Sequence, residues 1–165
     1  MKLSHILHEK ANVTQGVDEA ELAYLQKAAD LLSRELKVDN HNITISFDPP
    51  MDLDNSQYGV TIGLGHKPQK IFIMVDKGLS TGDKLLNLCH EMVHAQQLAH
   101  GHLTIEVLKD GQISGEWNGK KFSSLKYSKA NPWEVEAHTK DKQLRKWVVE
   151  QLGNVRLTLS VPVKT

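Results

Sequence analysis

Residues 80–101 read STGDKLLNLCHEMVHAQQLAHG, and the fold turns on whether this stretch is a helix. Ser80 or Thr81 can cap it, Asp83 falls in its first turn, and Gly101 supplies a stop. Between those signals Leu85, Leu86, Leu88, Cys89, Met92, Val93, Leu98 and Ala99 are apolar nearly all the way round. That is the composition of a helix enclosed by a domain, not one lying on its surface. His90, Glu91 and His94 interrupt it. A helix turns about 100° per residue, so positions four apart diverge by only about 40°. His90 and His94 therefore project from one face, near enough to hold one cation, with Glu91 beside them; this is the mechanical content of an HExxH pattern. The bland alternative is two satisfied histidines and a solvated glutamate. A buried carboxylate without a partner is costly, and a metal site offers one, so the metal reading is preferred.

Working outward, residues 17–37 carry Leu22, Leu25, Ala28, Ala29, Leu32 and Leu36 at the spacing of an amphipathic helix. Three β-prone runs follow, Ile43 to Phe47, Tyr58 to Leu64 and Lys70 to Val75, separated by turn-rich DPPMDLDNSQ and GHKPQ; a small antiparallel meander is expected. Beyond the central helix, Thr104 to Leu108 reads as a strand and Ile113 to Phe122 as a hairpin around Asn118-Gly119. Asn131-Pro132 opens a last helix running to about Gln151, and VRLTLSVPV reads as a closing edge strand. The class is α+β, with a small antiparallel or mixed sheet on an N-terminal helix, a buried central helix and a C-terminal helix.

The 165 residues show no internal repeat or long linker, so a single domain over 1–165 is expected. The longest apolar run, Ile71 to Val75, is too short to cross a bilayer, and MKLSHILHEK lacks an export signal. A lone Cys89 rules out an internal disulfide and a multi-cysteine zinc ribbon. A cytoplasmic protein is the expectation. Net charge is zero but uneven: residues 1–58 hold five Lys/Arg against ten Asp/Glu, and residues 109–146 nine against five. The lysines lack aromatic interleaving beyond Phe122 and Tyr127, so neither nucleic acid nor a membrane is an expected partner. His5, His8, His41 and His66 show no ligand spacing and read as surface groups; Trp117, Trp133 and Trp147 read as packing.

Two imidazoles hold zinc too weakly, so a third ligand must fold back from elsewhere. His100, His102, Glu106, Glu116, Glu134, Glu136 and His138 are the candidates downstream. His100 lies on the far side of the helix; the extended HExxHxxGxxH pattern needs a glycine where Gln97 stands, and without it the chain stays helical. NPWEVEAH (131–138) is the better source. Glu134 and His138 share one face of its helix while Glu136 points away by about 200°, so only one glutamate can face the site well. With Asn131 as cap, Glu134 also suits a capping box, a role that competes for the same oxygens.

HEMVHAQQ followed by NPWEVEA resembles the small gluzincin-type metallopeptidases, in particular compact HExxH proteins of phages and bacteria with a W-G hairpin and a P-W-E-x-E-A helix. The resemblance covers roughly residues 86–138, with Glu116-Trp117-Asn118-Gly119 as the intervening hairpin. It implies a minimal zincin-like domain, one zinc ion per chain, and ligands His90, His94 and Glu134, with Glu136 as the alternative third. His138 stands where the family has Asp or Asn to hold a ligand histidine. The chemistry implied is hydrolysis of a protein or peptide substrate, with Glu91 activating water and Tyr127, His138 or His102 steadying the oxyanion. Substrate would lie along Lys70 to Val75, taken as an edge strand. Two other readings share the motif. One is a zinc-stabilised binding or regulatory module without turnover; the other is a Spartan-like protease acting on DNA-bound proteins, whose third ligand is a His.

Overall fold

A computed structural model describes residues 11–15, 18–47, 58–122 and 125–152. Among these the chain forms three helices and two small sheets, one mixed and one antiparallel, an α+β arrangement. Helix α1 (Glu19–Glu35) starts at Asp18, whose carboxylate accepts from the Glu21 amide, and it buries Leu25, Ala28, Ala29 and Leu32. That is the stripe its spacing predicts.

Strands β1 (Asn12–Gln15), β2 (Asn42–Ser46), β3 (Gly59–Ile62) and β4 (Lys70–Val75) form one sheet in the order β1-β2-β4-β3. The expected antiparallel meander is not formed: β2 runs parallel to β4, and only β3 is antiparallel to β4. Alternation along a strand reports which side chains share a face, not which strand is the neighbour. Burial decides the order. β4 encloses Ile71, Ile73 and Val75 completely and takes an interior place, whereas GVTI of β3 has no fully buried position and takes the edge. A parallel pair needs a long crossover, and the chain between Ser46 and Lys70 provides it. β1, not anticipated from NVTQ, is tied to α1 through Gln26, which accepts from Val13 N (2.8 Å) and donates to Ala11 O (2.7 Å).

Helix α2 (Thr81–Ala99) begins at Ser80, whose hydroxyl accepts from the Asp83 amide. Its Leu85, Leu88, Met92 and Ala95 join Ile43, Ile45, Ile71 and Ile73 in one core, so the helix is enclosed as its composition demands. Lys84, in its first turns, is buried against Glu21 of α1 (2.9 Å), and Thr81 Oγ1 donates to the same carboxylate (2.7 Å).

Strands β5 (Leu103–Val107), β6 (Ile113–Trp117) and β7 (Lys120–Phe122) form the antiparallel sheet. Asn118 and Gly119 both adopt positive φ (47° and 82°), the two-residue hairpin turn that Asn-Gly favours. Helix α3 (Pro132–Gln151) then packs along α2. The expected terminal strand VRLTLSVPV lies outside the described residues, as do His5, His8 and the DPPMDLDNSQ turn. No described helix is long and apolar enough to cross a membrane.

Candidate metal centre

Because α2 is enclosed, its polar residues meet protein on their exposed side, and that protein is α3. His90 Nε2 lies 3.2 Å from His94 Nε2 and 3.2 Å from Glu134 Oε2; His94 Nε2 lies 3.4 Å from Glu134 Oε1. Ligand bonds of about 2.0–2.1 Å place tetrahedral donors about 3.3 Å apart, so these atoms have the spacing one divalent ion requires. All three residues are less than a tenth exposed.

The other ring nitrogens are occupied, which fixes how each imidazole is presented. His90 Nδ1 donates to Asp141 Oδ2 (3.2 Å) and His94 Nδ1 to Gln97 Oε1 (2.8 Å), leaving each Nε2 aimed at Glu134. Gln97 is itself locked, its amide nitrogen donating to Trp133 O (3.0 Å) and Glu136 Oε2 (2.9 Å). Such outer contacts orient ligands and set the tautomer that binds metal.

Glu91 packs beside the cluster. Thr61 Oγ1, on β3, donates to its Oε2 (2.7 Å), and the opposite oxygen lies so near Gly59 that a Cβ there would meet it at 2.6 Å. Three buried carboxylates, Glu91, Glu134 and Asp141, thus surround two imidazoles. Asp141 Oδ1 is buried with no hydrogen-bond partner among the described residues. An excess of negative charge in an enclosed place suits a cation.

Electrostatics agree with that balance. Burial works against the charged form of His94, but Glu134 and Glu91 overcome it and raise its pKa to about 9; His90 moves up for the same reasons. Burial pushes Glu134 up, yet hydrogen bonds from His90 and then His94 bring it down to about 2. Without metal the site is an imidazolium–carboxylate cluster. Burial lifts Glu91 above the usual carboxylate range, against the pull of His94, His90 and Thr61.

The remaining sequence candidates separate cleanly. Glu136 is turned away: Lys140 Nζ holds its Oε1 (2.6 Å) and Gln97 its Oε2, so it is not brought to the cluster. His100 Nε2 lies against Lys37 O (3.1 Å) and His102 stands edge-on to Trp117. Glu106 and Glu116 fall on the same face as Thr104 and Ser114, opposite Ile105 and Trp117, and they do not line the cleft. The capping box is not formed: the Asn131 side chain makes no cap bond, and its Nδ2 instead donates to Lys126 O (3.1 Å). Glu134 is therefore free for the histidines.

Tyr127 and His138 reach the site's mouth, the phenol oxygen 3.5 Å from His138 Nε2. Burial, then Glu134 and Glu91, raise the Tyr127 pKa, so the phenol keeps its proton as a donor. His138 Nδ1 shares Asp141 Oδ2 (3.4 Å) with His90. The residue holding His90 is thus Asp141, not the residue at 138 where the family pattern places it. Three supports were missed in the sequence. Asp141 follows Glu134 by seven residues, two turns on the same face, and Gln97 follows His94 by three; both spacings are legible on a helix. Thr61 depends on the sheet order and left no local signal. His41, read as a surface group, is buried with Nδ1 2.7 Å from Asn40 Oδ1.

The cluster lies in the wall of an open cleft of about 780 Å³, lined on one side by Gly59 to Ile62 of β3 and on others by α2, α3 and the second sheet. β4, taken by resemblance as the substrate strand, is interior, because β2 and β3 flank it; β3 holds the edge. Among known proteins, no family model, no curated protein and no solved structure matches the chain.

Proposed function

We propose that the chain is a zinc-dependent peptidase with His90, His94 and Glu134 as the metal ligands. The observation that carries this reading is the convergence of those donors at 3.2–3.4 Å, with Glu91 beside them and an edge strand bordering the cleft. Zinc bound there supplies Lewis acidity and lowers the pKa of water toward neutrality.

The chain's own residues supply the rest. Glu91 takes the proton from the attacking water and passes it to the leaving amine; burial makes it a better base than a solvated carboxylate. Thr61 holds one oxygen of Glu91 and so limits which way the carboxylate faces. Tyr127, protonated and at the cleft mouth, is placed to donate to the developing oxyanion, with His138 behind its hydroxyl. β3, with a hydrogen-bonded neighbour on one side only among the described residues, offers backbone groups to an extended peptide.

The test is Glu91→Gln. Zinc content should remain one per chain while peptide hydrolysis falls by about 10²–10⁴, followed by metal analysis and a fluorogenic peptide library. Hydrolysis that survives the substitution rejects the mechanism. A zinc-loaded wild type that cuts no unfolded protein or peptide leaves the module without turnover.

A further inference from the structure

Gln97 is a polar side chain in an enclosed place: it lies in the last turn of α2 and is 1% exposed. A buried amide has to find partners for two N–H groups and a carbonyl oxygen, and this one finds all three. Its Oε1 accepts from His94 Nδ1 (2.8 Å), while Nε2 donates to Trp133 O (3.0 Å) and Glu136 Oε2 (2.9 Å). The nitrogen and oxygen of an amide are told apart by their neighbours, and these neighbours admit one assignment. A backbone carbonyl can only accept. So can an ionised carboxylate, and Glu136 is one: burial pushes its carboxyl up, but hydrogen bonds from Lys140 and Gln97 outweigh burial and hold it below the usual range. Turned over, the amide would set its oxygen against two acceptors and lose both bonds. An N–H would then face His94 Nδ1, which would have to accept. The proton would sit on Nε2, and the nitrogen now aimed at Glu134 could not bind a metal.

Glu134 and Glu136 are rivals for one ligand position by sequence, yet the start of α3 has a use for both. We infer that Glu136 is a positioning residue for the metal: without touching the ion, it fixes the Gln97 amide and so keeps His94 in the tautomer whose Nε2 faces Glu134. α3 thereby supplies one ligand directly and anchors the outer end of the chain Glu136–Gln97–His94. Lys140, one turn further along α3, holds the other oxygen of Glu136 (2.6 Å). The same chain explains why glutamine rather than glycine suits position 97: only a side chain with an acceptor at one end and donors at the other can link a ligand imidazole to a carboxylate. The inference rests on the metal centre of the proposed function and not on any hydrolysis there.

The test is a double-mutant cycle read as zinc affinity, by competition with a chelator, in Gln97→Leu, Glu136→Leu and the two together. Gln97→Leu should weaken zinc binding about 10–100-fold. Glu136→Leu should weaken it at least about threefold in the wild-type background and no further in Gln97→Leu, because the carboxylate acts through the amide. Lys140→Met breaks the ion pair within α3 but keeps the acceptor, so its zinc affinity should stay within about twofold of wild type. That contrast separates positioning from helix stability, and it survives if Gln97→Leu fails to fold. Equal zinc affinity in wild type and Glu136→Leu overturns the inference. So do additive losses in the double variant, or a loss in Lys140→Met as large as that in Glu136→Leu. A wild type that binds no zinc rejects the metal centre and the inference with it. The coupled pattern without any peptide hydrolysis by wild type rejects the peptidase reading alone and supports the role of Glu136.

Discussion

At the scale of single residues, the site depends on what is placed around the donors as much as on the donors. Gly59 is the clearest case. Any Cβ there would stand 2.6 Å from Glu91 Oε1 and 2.9 Å from its Cγ, and Glu91 is too enclosed to yield without leaving Thr61. On the proposed peptidase reading, Gly59→Ala should therefore keep zinc while lowering kcat by about tenfold or more, the cost of misplacing a catalytic group; wild-type kcat in this variant would count against Glu91 as the base. Asp141→Ala should act on the metal instead. It removes the acceptor that sets the His90 tautomer, and competition with a chelator should show zinc affinity weakened about 10–100-fold. HExxH spacing made His90, Glu91 and His94 legible from the sequence, because four residues on a helix is a rigid ruler. Glu134 against Glu136 was half legible. Their angular separation showed that only one faces inward, and Lys140, four residues after Glu136, draws that carboxylate away. Thr61 was not legible at all, since its contact spans thirty residues and a sheet edge.

At the scale of elements, helices were read well and sheet order was not. The apolar stripe of α1, the capped and enclosed α2 and the Asn131-Pro132 start of α3 each follow from local periodicity and local caps. Strand adjacency is non-local, and two strands with the same alternation can pair in either direction. The ionic tie between α1 and α2 was equally hidden, because Glu21 and Lys84 are 63 residues apart. It has a measurable consequence. Lys84→Ala leaves the buried Glu21 carboxylate with Thr81 as its side-chain partner among the described residues, and breaking one side of a buried pair costs about 3–5 kcal/mol. A fall in Tm of roughly 10 °C or more is expected by calorimetry. Replacing the pair together, with Glu21→Leu and Lys84→Met, should recover most of the loss. Equal stability of the single and double variants would mean that the pair does not anchor α2.

At the scale of the whole molecule, the enclosed charges make the stability of the metal-free chain depend on pH, and on the proposed zinc reading bound metal removes most of that dependence above pH 6.5. In the metal-free chain Glu134 is held at about 2 against an ordinary 4.5. Its contribution to stability is complete above 4.5 and disappears as pH falls through about 2. His94 is held at about 9 against an ordinary 6.5. Its contribution is complete below 6.5 and disappears as pH rises through about 9. Between pH 6.5 and 9 the metal-free chain should therefore lose stability steadily. On the proposed reading zinc would bind the neutral imidazoles, so over the same interval protons would compete less and its stabilisation would grow. Thermal melts in excess chelator and in zinc should consequently diverge, with the gap in Tm widening from pH 6.5 to 9. The test is stringent, because a structural histidine pair would lose stability over that interval with or without zinc, keeping the two curves parallel. A gap that stays constant or narrows would exclude His94 as the group that exchanges its proton for the metal, and with it the three-donor centre on which α2 and α3 converge.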